Sequence, residues 1–307
     1  MFPLEKLNIN NFISNLDLSK EETKQIIEDA IYLKKNEIDF NFKNKVLGLI
    51  FNKASTRTRV SFQVAMSRIG GTTIELDPKT SQIGRGESIK DTARVLSRYC
   101  DVLAIRTYKQ SELEEYAKWS KKPIINALSD LEHPCQALAD FMTIKEEFGS
   151  LEGLVLTYVG DGNNVANSLI ICGSLLGVEI RIACPKGFEP DPEIIAKANS
   201  LNKNGLLKIY HDPISAAKDA NVLYTDVWSS MGQENTIKGK EVNFQCFRID
   251  KNLVSLAANK SIVMHCLPAY RGKEITDEVI DSENSRIFNQ AENRLHAQQS
   301  LLAHILS

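Results

Sequence analysis

The chain has 307 residues, 43% of them apolar and 25% charged, which suits an ordinary folded protein with two domain cores rather than one. Its 37 Lys and Arg against 39 Asp and Glu leave a net charge of −2, so no basic field draws in nucleic acid or an anionic membrane. The opening Met1-Phe2-Pro3-Leu4-Glu5-Lys6 lacks a basic-then-apolar export pattern and no apolar stretch approaches the ~20 residues of a membrane span, so a cytoplasmic protein is expected.

A helical pattern over 20–36 precedes an apolar strand at 46–51. Ser55-Thr56-Arg57-Thr58-Arg59 then opens a helix predicted over 57–69. A strand feeding such a turn presents free backbone N–H groups and the positive end of the helix dipole. Ser55, Thr56 and Thr58 add hydroxyl donors, and Arg57 and Arg59 add guanidinium forks that match phosphate oxygens. The pattern points to a small phosphorylated ligand; the plain alternative is a polar cap followed by surface arginines.

A strand at 72–76 leads to the loop Ser81-Gln82-Ile83-Gly84-Arg85-Gly86-Glu87, either a simple connection or an arm that reaches a neighbouring subunit. Next come a helix at 87–99, a strand at 102–106 ending in Arg106, a helix at 110–119 and a strand at 123–127. His133-Pro134-Cys135-Gln136 starts the helix at 135–148. A helix start favours the neutral imidazole on His133, able to donate one hydrogen bond to a carbonyl, and Gln136 faces the same way. A capping histidine is the alternative.

Gly149 and Gly153 mark a hinge between a domain of residues 1–149 and one of 150–291, with a final helix at 292–307 packing back on the first. Beyond the hinge, strands are predicted at 154–160, 179–184, 207–211, 221–225, 261–265 and 285–288, and helices at 164–176, 191–203 and 251–258. The alternation predicts an α/β protein with two doubly wound parallel-sheet domains joined by helices, its active site in the interdomain cleft at the carboxyl ends of the strands.

Gly160-Asp161-Gly162-Asn163-Asn164 begins like a dinucleotide fingerprint, but Val165 stands where the third glycine belongs. The next strand ends in Cys184-Pro185 rather than an acidic residue, so a nicotinamide-dependent oxidoreductase is the weaker reading. Asn164 offers an amide to a substrate carboxylate, and Asp226 a charge for a substrate ammonium or simply a helix cap. The turn Trp228-Ser229-Ser230-Met231-Gly232 is placed to close over that amine. Cys266 follows the strand at 261–265 and invites a thiolate role, yet His265 beside it points to the opposite face. Leu267-Pro268 sets an extended turn, trans or cis, that exposes carbonyls. Cys100, Cys135, Cys172, Cys184, Cys246 and Cys266 lack paired metal-ligand spacing and read as free thiols.

Together, Ser55-Thr56-Arg57-Thr58-Arg59, Arg106, His133-Pro134-Cys135-Gln136, Asp226 to Gly232, His265-Cys266-Leu267-Pro268 and Glu292-Asn293-Arg294 closely resemble the aspartate/ornithine carbamoyltransferase family over essentially the whole chain. The match is to its ornithine-type branch. Gln82 stands where the aspartate-type branch has a lysine, and Cys266 departs from its His-Pro-Leu-Pro. A putrescine-type relative is the nearer rival, since its substrate lacks only the carboxylate that Asn164 and Ser230 would serve. A non-catalytic relative would be expected to have lost one of these motifs.

The resemblance implies that Ser55, Thr56, Arg57 and Thr58 bind the phosphate of carbamoyl phosphate, with Gln82 joining from an adjacent subunit of a homotrimer. Arg106, His133, Gln136, the backbone at Cys266 and Leu267, and Arg294 would hold the carbamoyl group. Asn164, Asp226, Ser230 and Met231 would bind L-ornithine. Arg57, Arg106, His133, Asp226 and Cys266 would serve catalysis, with no metal or organic cofactor and with citrulline and phosphate as products, in arginine biosynthesis or its catabolic reverse.

Overall fold

The computed structural model describes residues 7, 9–77, 80–201, 205–228 and 243–307. Two compact units divide the chain: Met1–Met142 with Asn293–Ser307, and Thr143–Glu292.

In the first unit, α1 (Lys20–Lys35) starts from a reciprocal cap in which the Ser19 hydroxyl accepts from the Glu22 N–H and Glu22 reaches back to the Ser19 N–H. It is followed by β1 (Val46–Phe51), α2 (Arg57–Arg68), β2 (Thr72–Leu76), α3 (Ile89–Leu96), β3 (Val102–Arg106), α4 (Gln110–Trp119), β4 (Ile124–Leu128) and α5 (Pro134–Phe148). The strands are parallel in the order β2-β1-β3-β4. Nearly every residue of β1 and β3 is buried, as happens when helices cover both faces of a parallel sheet. Ile50, Leu103, Ile105 and Ile124 pack with Ala93 of α3 and Leu113 and Tyr116 of α4. The strand order reverses between β1 and β3, so a crevice opens beyond their carboxyl ends.

The second unit runs β5 (Val155–Val159), α6 (Asn164–Leu176), β6 (Glu179–Ala183), α7 (Pro192–Leu201), β7 (Leu207–Tyr210), α8 (Pro213–Ala217), β8 (Val222–Thr225), α9 (Lys251–Val254), β9 (Ile262–His265), α10 (Asp277–Ile280) and α11 (Ile287–Leu306). Its strands are also parallel, ordered β7-β6-β5-β8-β9, and reverse between β5 and β8. Val159, Leu223 and Val263 of the sheet share a core with Ala216, Phe244, Ile249 and Val279. The expected fold class, two parallel-sheet α/β domains, is what the chain adopts.

The first compact unit runs to Met142, inside α5, and the second starts at Thr143. Residues from Asn293 onward in α11 belong to the first unit, where Ser300 Oγ donates to the Ile26 carbonyl at 2.9 Å and His304 Nε2 lies 2.8 Å from Asp29 Oδ2. The strand expected at 285–288 does not form: Ser285 makes one isolated bridge to Val263, and α11 begins at Ile287. Ile287 is buried while Phe288 is 63% exposed, so this short apolar pair is the start of an amphipathic helix. The helix expected at 251–258 shortens to the single turn of α9.

Among the described residues no helix is long and apolar enough to cross a membrane. None of the six cysteines forms a disulfide: Cys100, Cys135, Cys172 and Cys184 are buried, Cys266 is half-buried and Cys246 is exposed.

Candidate active site

In the first unit the loops after β1, β3 and β4 carry the polar groups. Thr56 precedes α2 in a helical conformation without capping its own helix through its side chain, and Arg57 and Thr56 are exposed while Ser55 is half-buried. Thr58, one residue on, is buried and accepts a hydrogen bond from Arg294 Nη2 at 2.9 Å. Arg294 Nη1 donates to Gln136 Oε1 at 2.6 Å, and Gln136 Nε2 donates to Asp140 Oδ1 at 2.8 Å. The amide of Gln136 is thus turned by the buried Asp140 so that its oxygen faces the guanidinium.

Arg106 ends β3 with only 6% of its surface exposed, and its carbonyl accepts from the Asn52 N–H that follows β1. His133 is buried ahead of α5, its carbonyl accepting from the Gln136 and Ala137 N–H groups. Burial first, then the charges of Arg294 and Arg106, push its imidazole well below the ordinary histidine range, so it is neutral. The expected neutral imidazole is what this environment favours, with burial and two guanidiniums acting in the direction expected of the helix start. Cys135 beside it is buried and its thiol is pushed up to about 12, which leaves no nucleophile there.

Arg59 does not join this group. Its Nε lies 2.9 Å from Glu75 Oε1 on β2, and its guanidinium sits over the Phe51 ring at 5.5 Å. Residues two apart on a helix point to different sides, so the motif cannot aim Arg57 and Arg59 at one phosphate. Lys53 was missed and sits in the same turn, its Nζ 4.4 Å from the Tyr108 ring centroid. Burial and then the charge of Arg106 lower its ammonium pKa. The signal was its place between strand and helix. Gln82 starts an exposed 3-10 turn, Gln82–Arg85.

In the second unit Asp226, buried directly after β8, meets two side chains. Cys266 Sγ donates to its Oδ1 at 3.0 Å, and Asn163 Nδ2 donates to its Oδ2 at 2.8 Å. Asn164, half-buried, is the first residue of α6. His265 turns away from Cys266: its Nδ1 accepts from the Leu267 N–H at 2.9 Å and its Nε2 lies 3.1 Å from the buried Glu274. Leu267 has φ 58 and precedes a cis Pro268. Asp226, His265 and Cys266 bring one ligand atom each within 4.8 Å, the spacing of a metal site. Both His265 nitrogens are already engaged, however, so this set does not fit a metal. Ser230 and Met231, with Ser229 and Gly232, lie outside the described residues.

Gly162 explains the partial dinucleotide motif. A Cβ there would stand 2.3 Å from Pro190 N and 2.6 Å from the Phe188 carbonyl oxygen, so the glycine serves contact with protein backbone, not with a pyrophosphate.

Comparison with known proteins decides the family. The model of the aspartate/ornithine carbamoyltransferase carbamoyl-phosphate-binding domain matches residues 10–146, and that of the Asp/Orn-binding domain matches residues 152–305. The chain belongs to the aspartate/ornithine carbamoyltransferase family. An ornithine carbamoyltransferase of Prochlorococcus marinus (strain MIT 9312) is 64% identical over 303 residues, 98% of each chain. The solved ornithine carbamoyltransferase of Pyrococcus furiosus superposes with a TM-score of 0.93 at 47% identity, covering 98% of each chain. That of Gloeobacter violaceus gives 0.89 at 47% identity over 97% of this chain and 99% of the other. The carbamoyl-phosphate-binding model covers most of the first unit, and the Asp/Orn-binding model covers most of the second together with the final helix.

Proposed function

We propose that the protein transfers the carbamoyl group of carbamoyl phosphate to the δ-amine of L-ornithine, giving L-citrulline and phosphate. The observation that carries the reading is the gathering of Thr58, Gln136 and Arg294 through buried hydrogen bonds, with Arg106 and a neutral His133 sensing the same charge field. Such a group suits a phosphorylated carbonyl compound: guanidiniums for the oxyanions, and an imidazole that donates to the carbonyl without adding charge.

Ser55, Thr56, Arg57 and Thr58 bind the phosphate; Arg106, His133, Gln136, Arg294 and the backbone of Cys266 and Leu267 hold the carbamoyl group. The neutral amine attacks the carbamoyl carbon, and charge grows on the carbonyl oxygen as the tetrahedral intermediate forms. Arg106, His133 and Thr58 stabilise that oxygen, after which the C–O bond to phosphate breaks and phosphate accepts the amine's proton. Asp226 and Cys266 receive the amine, while Asn164, Ser230 and Met231 hold the rest of ornithine. No metal or organic cofactor takes part. The working unit is a homotrimer in which Gln82 completes the site of a neighbouring copy, and the enzyme acts in the cytoplasm, in arginine biosynthesis or its catabolic reverse, which share the same site.

A citrulline assay with carbamoyl phosphate and ornithine, run beside putrescine and aspartate, tests the reading. Product from ornithine alone, lost in Arg57→Ala, is the expected result; a higher specificity constant for putrescine would remove Asn164 and Ser230 from carboxylate binding.

A further inference from the structure

Asn163 lies one residue before the amide assigned to the substrate, and its two ends do different work. Its Oδ1 accepts from the Val165 N–H at 2.9 Å, the Ala166 N–H at 3.2 Å and the Tyr158 hydroxyl at 3.3 Å. Three donors on one atom fix which end of the amide is oxygen, so Nδ2 must face Asp226 Oδ2, 2.8 Å away. Tyr158 is buried, and burial followed by the charge of Asp226 keeps its hydroxyl protonated and donating. As a helix cap, Asn has no advantage over Ser or Asp. Asp has no donor to give a carboxylate, and Ser has only the hydroxyl that caps; the longer Asn amide accepts at the helix with one atom and donates to Asp226 with another.

We propose that Asn163 is a positioning residue for amine recognition: anchored on the N-terminus of α6, it holds Oδ2 of Asp226 and thereby presents Oδ1, the oxygen beside Cys266 Sγ, to the substrate amine. The inference rests on the reading of Asp226 as the amine-facing carboxylate. It ties the helix that carries Asn164 to the group that receives the amine at the other end of the same substrate, across the strand reversal between β5 and β8.

The test separates the cap from the donor. Asn163→Ser retains a capping oxygen but is too short to reach Asp226, and Asn163→Asp retains the cap while replacing the donor with a second carboxylate. In Asn163→Ser the melting temperature should stay within about 3 °C of wild type, since the cap survives. Its KM for ornithine should rise at least about tenfold, the effect of losing a hydrogen bond to a charged group, with KM for carbamoyl phosphate unchanged. Independently of turnover, in a Cys246→Ser background that removes the exposed thiol, iodoacetamide should alkylate Cys266 severalfold more slowly in Asn163→Asp, because a second negative charge disfavours the thiolate. A wild-type ornithine KM in Asn163→Ser, or an unaltered alkylation rate in Asn163→Asp, overturns the proposal and leaves Asn163 a helix cap. Absence of citrulline from the wild-type enzyme would instead refute the functional reading, and the alkylation rate would still decide the link to Asp226.

Discussion

Thr58 and Arg59 are adjacent in the chain and face opposite ways, the first toward Arg294 and the second toward Glu75 on the edge strand. Arg59→Ala should therefore leave the KM for carbamoyl phosphate unchanged and cost no more than about 1 kcal/mol in urea unfolding, since its ion pair is over a third exposed on the arginine side. His133→Gln should lower kcat by about 100- to 1000-fold, the usual loss on removing one donor to a developing oxyanion. Because the folded-state pKa of His133 lies below its ordinary value near 6.5, the unfolded chain takes up a proton first as pH falls below that value, and stability declines with it. Thermal scans from pH 7.5 down to 5.5 should show a steeper loss in wild type than in His133→Gln. Turnover should rise from pH 6 to 9 at saturating substrates, as the ornithine amine, with an ordinary pKa of about 10.4, yields more of its neutral form; a flat profile would contradict the proposed attack. The side-chain chemistry of the turn was legible in the sequence. The direction of each side chain was not, because Arg57 and Arg59 are the same residue type in the same turn and only the helical phase separates them.

At the scale of elements, strands with helices between them declared themselves through runs such as Val102 to Arg106, buried at every position. Short pieces did not: α8 has five residues and α10 four, too few for a helical period to show. Asp212-Pro213 did carry a signal for α8, since Asp212 accepts from the Ile214 and Ser215 N–H groups and Pro213 occupies the first turn. The strand expected at 285–288 failed because Ile287-Phe288 fits either period, and the polar residues that follow continue as helix. Gly162 shows how a motif can mislead when its glycine answers to a neighbouring loop. Gly162→Ala should destabilise the protein by about 1–3 kcal/mol in urea unfolding, the cost of forcing a methyl group into packed backbone, and should do so with or without NADH present.

For the molecule as a whole, the proposed trimer predicts complementation. Arg57→Ala and Gln82→Ala, each inactive alone, should regain activity when dissociated and reassembled together, because mixed trimers contain sites with both native groups; an active monomer by light scattering would exclude that sharing. The two-unit plan was readable from the rhythm of strands and helices, whereas the reversal of strand order that places Asp226 beside Asn163 depends on pairings far apart in the chain. Among the described residues, Ile50 to Ile124 of the first sheet pack in one buried cluster and Val159 to Ile287 around the second sheet in another. Substitutions at sites far apart act nearly independently on stability. A lineage can therefore exchange one acceptor amine for another by revising the loop after β8, while the turn after β1 that we assign to the phosphate is inherited untouched.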